Sequence, residues 1–76
     1  MVRVVRVDNE LQVNLGRNLR AIREERGLSQ EKFAELLGFH RTYAGALERG
    51  ERNVSLKSLE HLAVLLEVNP LDLLRG

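Results

Sequence analysis

A chain of 76 residues supports one domain with a small core, of the size that buries only about 60% of the surface its unfolded chain exposes and gains from association with a second copy. With no cysteine and two isolated histidines, it has neither disulfides nor transition-metal ligand spacing. No apolar run approaches the ~20 residues of a membrane span, no signal peptide is recognisable, and the net charge of +1 leaves no strong electrostatic footprint; the expectation is a cytoplasmic protein without a cofactor.

Residues 1–10 form an arm in which Val2-Arg3-Val4-Val5-Arg6-Val7 mixes β-branched and basic side chains, a composition that favours extended backbone. From about Leu11 to Arg26, Leu15, Leu19 and Ile22 share one helical face. Asn9 and Gln12 make a capping box at its start, and Gly27 ends it. Ser29 is the next N-cap, after which Phe33, Ala34 and Leu37 recur at helical spacing until Gly38, where a glycine takes positive φ without a Cβ clash. The chain turns through Gly38, Phe39 and His40, and a second short helix runs from about Arg41 to Arg49 before Gly50.

Two steeply crossing helices approach closely only where one carries a small residue, here Ala34. Leu37, Phe39 and Leu47 then face inward, which leaves Arg41, Thr42, Tyr43 and Ala46 on the outward, N-terminal part of the second helix. A recognition helix reads DNA base edges with that part. Glu51 to Val54 is a polar loop, and Ser55 caps a helix from about Leu56 to Glu67 with Leu59, Leu62, Ala63 and Leu66 on one face. Asn69-Pro70-Leu71-Asp72 restarts a fifth helix over Leu71 to Leu74, with a cap, a proline at the first position and an acid in the first turn. The fold expected is all-α. There is no phosphate-cradling glycine loop, nucleophile elbow or pair of helical histidines, so an enzyme is not expected.

The unit from Gln30 to Leu47 resembles the roughly twenty-residue helix-turn-helix pattern of the λ-type phage repressors, with Gln30 opening it, Ala34 and Gly38 at its small positions and Leu47 closing it. The chain is thus similar to the XRE (Cro/repressor) family. Within it, His40-Arg-Thr-Tyr43 and Leu47-Glu-Arg-Gly-Glu-Arg-Asn-Val-Ser-Leu56 look most like the controller proteins of restriction-modification systems, which are small dimeric transcription regulators. The resemblance runs from Leu15 to Leu74. It implies a five-helix λ-repressor-like DNA-binding domain over residues 11–76, with the helix-turn-helix at about 29–49.

For individual residues it implies base reading by the outward face just described, an internal Arg23–Glu48 ion pair, and a phosphate clamp at Gln30. Arg52, Asn53 and Ser55 stand where controller proteins contact the DNA backbone, and an exposed helix N-terminus suits phosphate; an ordinary loop and cap is the alternative. His40 and Arg49, flanking the second helix, are assigned to phosphates too. Ala44 departs from the family's usual larger β-branched residue, and Phe33, where Leu is commoner, is expected to fill that volume.

Val64 and Leu65 stand where the family typically has Lys and Ala, and with Leu71 and Leu74 they give more apolar surface than one small core needs. Such a surplus suggests a two-fold interface, against the alternative of scattered surface leucines. Basic Arg41, Arg49, Arg52 and Lys57 surround the reader, whereas Glu60, Glu67 and Asp72 dominate after Ser58. The leading expectation is a homodimer whose two reader helices enter major grooves about one helical turn (~34 Å) apart on a pseudo-palindromic operator. The other is an antitoxin or similar protein-interaction module of the same fold. For the arm three roles stay open: a frayed terminus, pairing with the same segment of a partner subunit, or contact with DNA phosphates through Arg3 and Arg6.

Overall fold

The computed structural model describes residues 10–76: α1 spans Glu10–Glu25, α2 Gln30–Leu37, α3 Arg41–Glu48 and α4 Leu56–Leu66, followed by a 3-10 helix at Pro70–Leu74. No strand occurs among the described residues, and no helix there is long and apolar enough to cross a membrane. The Val2–Val7 arm and the Asn9 half of the expected capping box lie outside the described residues; Glu10, read as the end of the arm, is the first residue of α1.

The helix boundaries follow the punctuation of the sequence. Ser29 accepts from the Lys32 amide at 3.1 Å and Ser55 from the Ser58 amide at 3.0 Å, each satisfying one otherwise unpartnered donor of a first turn. All four α-helices end in one motif, in which an amide two or three residues past the helix bonds back to a carbonyl five residues earlier: Leu28 to Arg23, Phe39 to Ala34, Glu51 to Ala46 and Val68 to Ala63. Three of these endings place a glycine at positive φ, but the fourth places Glu67 there, at φ 58°. A side chain with a Cβ is strained in that region.

Leu15 and Leu19 of α1, Phe33 and Leu37 of α2, Leu47 of α3, four residues of α4 and Leu73 form one buried cluster. Phe33 and Ala44 are both fully buried. Helices α1 and α3 come into backbone contact at Gly16. A Cβ built there would lie 2.3 Å from the Leu47 carbonyl oxygen and 2.6 Å from that of Glu48, so the backbone of α1 rests directly on the last turn of α3.

The expected fifth α-helix is instead a single stretch of 3-10 helix. Asn69 caps it, accepting from the Leu71 amide at 2.8 Å, and its first internal bond runs from the Asp72 amide to the Asn69 carbonyl, three residues apart. The carbonyls that a longer α-helix would use are taken by α1: Asn18 Nδ2 donates to Asp72, Leu73 and Arg75, and Asn14 Nδ2 donates to Leu74. Arg26, just past α1, donates to the Leu66 carbonyl at 2.7 Å and closes the end of α4. In this way α1 anchors both later elements through polar contacts as well as through its leucines.

Candidate nucleic-acid interface

The buried end of α3 is held by one carboxylate. Arg23 Nε donates to Glu48 Oε2 at 2.7 Å and its Nη2 to Oε1 at 3.1 Å, while Gln30 Nε2 donates to Oε1 at 3.2 Å. Glu48 therefore joins α1, α2 and α3. The side chains of Arg23 and Glu48 are only 14% and 4% exposed, and the third donor group of Arg23 meets the Leu28 carbonyl at 3.0 Å, so the pair is desolvated but fully hydrogen-bonded. The hydrogen bond to Glu48 raises the Arg23 guanidinium above its ordinary value. A raised basic group contributes its stabilisation below that value and loses it only as pH rises through it, so the pair is intact throughout the neutral range. Burying Glu48 also removes one negative charge from the surface around the reader.

The exposed end of α3 starts at His40, whose Nδ1 accepts from the Thr42 amide at 3.2 Å. Accepting at Nδ1 leaves the ring proton on Nε2, a donor directed away from the helix. Arg41 and Thr42 follow, both exposed. With Gln30, His40, Gly45 and Arg49 they line a shallow polar depression of about 310 Å3. Two of the four residues expected to touch bases, Arg41 and Thr42, and three of those expected to touch phosphates, Gln30, His40 and Arg49, thus converge on one surface.

Ala46 is not part of it. It is only 6% exposed, and the chain after α3 folds back there, with the Glu51 amide on the Ala46 carbonyl at 3.0 Å. The stripe from Arg41 at intervals of four residues runs instead through Gly45 to Arg49, and Gly45 itself is buried, covered by the side chains of Arg49 and Gln30. Gly45 was missed because a residue without a side chain gives no signal of direction. Tyr43 is half-buried and stands apart from the depression: its ring meets Phe39 edge-on at 5.0 Å and 83°, and the Arg52 guanidinium lies 5.8 Å from its centroid. This stack links the turn before α3 to the loop after it.

Asn53 and Ser55 line a different recess, an apolar groove beside Leu11, Leu15, Val54, Leu56, Leu59 and Leu74. The Ser55 hydroxyl is occupied as a cap and donates to Ser58 Oγ at 3.1 Å, so the groups left for an anion at the start of α4 are the Leu56 and Lys57 amides. Of the four residues expected in a dimer interface, Val64 and Leu71 are 74% and 65% exposed, whereas Leu65 and Leu74 pack partly against the core.

The helix-turn-helix family HTH_3 matches residues 19–73. The chain is 49% identical over 55 residues to the control protein C.SmaI of Serratia marcescens, a match covering 72% of this chain and 66% of that one. Its fold is similar to that of the restriction-modification controller protein C.AhdI from Aeromonas hydrophila, with a TM-score of 0.71 at 47% identity over 82% of this chain and 94% of that one. It is also similar to the controller protein C.Esp1396I, solved as a tetramer in complex with its natural 35 base-pair operator, with a TM-score of 0.69 at 35% identity over 83% of each chain.

Proposed function

The chain belongs to the HTH_3 helix-turn-helix family and is a DNA-binding transcriptional regulator; from that premise we propose that it works in the cytoplasm as a homodimer on a pseudo-palindromic operator and controls a restriction-modification system. The observation that carries this reading is the convergence of Arg41, Thr42, Gln30, His40 and Arg49 on one exposed depression at the free end of α3. Arg41 has the planar fork that pairs with guanine O6 and N7, and Thr42 suits a base edge or a thymine methyl. Gln30 and His40 at the rim, with Arg52, Asn53 and the start of α4 beyond it, fit the flanking phosphates. The kinship with controller proteins, one of which binds its operator as a tetramer, supports binding to duplex DNA by more than one copy. Val64 and Leu71 are the apolar side chains available for pairing two copies.

In vitro selection of bound DNA tests the whole reading, because the recovered motif reports palindromy, spacing and specificity together. Arg41→Ala should relax preference at one base pair per half-site, at ~1 to 3 kcal/mol. Arg52→Ala should weaken all binding evenly and reduce the slope of log affinity against log salt by about one. A selected pool without any shared motif would refute sequence-specific regulation.

A further inference from the structure

Arg49 closes α3 and, placed by its Cα alone, is a phosphate contact at the rim. Its side chain lies elsewhere. Long side chains on a helix lean toward the N-terminus, and here Arg49 reaches back one turn: its Nη1 is 3.2 Å from where a Cβ on Gly45 would sit. The guanidinium therefore lies over the bare backbone of Gly45, in the stripe that begins at Arg41. Glu51 Oε1 accepts from Arg49 Nε at 3.1 Å, while neither terminal amino group of Arg49 has a hydrogen-bond partner among the described residues.

Resting on the DNA-reading function proposed above, we infer that Arg49 is a second base-reading residue, presented across Gly45 and oriented by Glu51. Two physical points favour bases over phosphates. An arginine paired with a carboxylate carries little net charge, and net positive charge is what phosphate contacts and counterion release depend on. Engaging Nε from behind leaves Nη1 and Nη2 as a two-pronged donor, the pattern that matches guanine O6 and N7 in the major groove, although the pair is more than half exposed and only biases the orientation. Glu51 is thus a positioning residue for Arg49. Its own cost, a carboxylate facing a polyanion, is offset by the orientation it imposes. Gly45 is part of the same device, since a Cβ there would press on Arg49 Nη1 at 3.2 Å and touch the Gln30 carboxamide at 3.6 Å, displacing the guanidinium slightly.

The test is titration of wild-type protein, Arg41→Ala, Arg49→Lys, Arg49→Ala, Glu51→Gln and Gly45→Ala against the selected operator, a complete set of single base-pair variants of it, and random duplex. Arg49→Lys keeps the charge and loses the fork. It should reduce discrimination at one G·C pair in each half-site, distinct from the pair read by Arg41, by at least about fivefold, with affinity for random duplex nearly unchanged. Glu51→Gln should lose discrimination at that same pair while binding random duplex more tightly and with a steeper salt slope, and Gly45→Ala, whose tightest new contact is with Arg49, should disturb that pair more than any other, with its melting temperature retained. If Arg41→Ala relaxes one position and Arg49→Lys relaxes none, the inference about Arg49 fails while the regulator reading stands. If the wild-type protein itself shows no base preference, both fail. Equal losses by Arg49→Ala on operator and random duplex would return Arg49 to the phosphate contacts and overturn the proposal.

Discussion

Gly16→Ala gives opposite answers depending on whether α1 is considered alone or in the fold. In an isolated helix the change is favourable, because glycine in a helix interior costs about 1 kcal/mol relative to alanine. In the protein the new Cβ would sit 2.3 Å from the Leu47 carbonyl oxygen, 2.6 Å from the Glu48 oxygen and 2.9 Å from the Glu48 carbonyl carbon, where ordinary contact starts near 3.4 Å. All three are backbone atoms, so no rotamer change relieves the clash. The helices must part by about 1 Å, and overpacking of that kind costs ~1 to 3 kcal/mol, occasionally more. With rigid backbone on both sides the upper part of that range applies, and the net loss expected is ~2 kcal/mol. In a domain this small that lowers the melting temperature by roughly 10 °C. Because the contact lies beside Glu48, operator affinity should fall as well. Thermal melts followed by circular dichroism decide the matter: a Gly16→Ala protein that melts at or above the wild-type temperature would refute the close-contact argument.

Substitutions at two further positions probe other parts of the fold. Glu67→Gly removes a side chain from positive φ at the end of α4 and should stabilise the protein by up to ~1 kcal/mol, whereas Glu67→Val should lose ~1 kcal/mol or more; urea titrations measure both. Val64→Glu places a charge on the most exposed residue of the expected dimer face and should change the stability of the isolated subunit by no more than about 0.5 kcal/mol. It should convert dimer to monomer in sedimentation and weaken operator binding, since both half-sites must be held as one unit; a Val64→Glu dimer would place the interface elsewhere.

The parts of this molecule that were legible in the sequence are those whose cause is local. Ser29, Gly38 and Gly50 mark their helix ends through their own chemistry, and the helix-turn-helix lies where they place it. The rotation of α3 was harder to read. Tyr43, Ala44, Ala46 and Leu47 are apolar on nearly every side of an eight-residue helix, and small residues weigh too little to fix the phase of two turns. The outward stripe was therefore assigned through Ala46 rather than Gly45. Nothing in the sequence around Gly16 marks its role, because its reason lies in α3. Asn14 and Asn18 give no local signal of their role, because their partners are carbonyls 54 to 60 residues further on. Those same contacts decided that the last element would be a 3-10 helix.

The reader helix is a short lever fixed at one end. Its C-terminal turn is clamped by Gly16 and by Glu48, which receives hydrogen bonds from Arg23 and Gln30, while its N-terminal turn is held by the His40 cap and the Phe39–Tyr43 contact and carries Arg41 and Thr42, the exposed side chains proposed to meet DNA. The direction of the exposed end is thus set from the buried one. Removing either member of the ion pair leaves a buried charge without its counter-charge, at a cost of ~3 to 5 kcal/mol, whereas replacing both by apolar groups of similar volume is often neutral or stabilising. Arg23→Met and Glu48→Met should therefore each be strongly destabilising, and the double variant should be much less destabilised than the sum. The restored stability should not restore reading: Gln30 loses its acceptor and is free to move, so the double variant should fold yet discriminate operator from random duplex less well than wild type. A double-mutant cycle in urea, with operator titrations on the same proteins, separates the two effects. Additive losses would mean that the pair does not act as a unit, and full discrimination by the stable double variant would mean that the carboxylate supports the fold without aiming the reader.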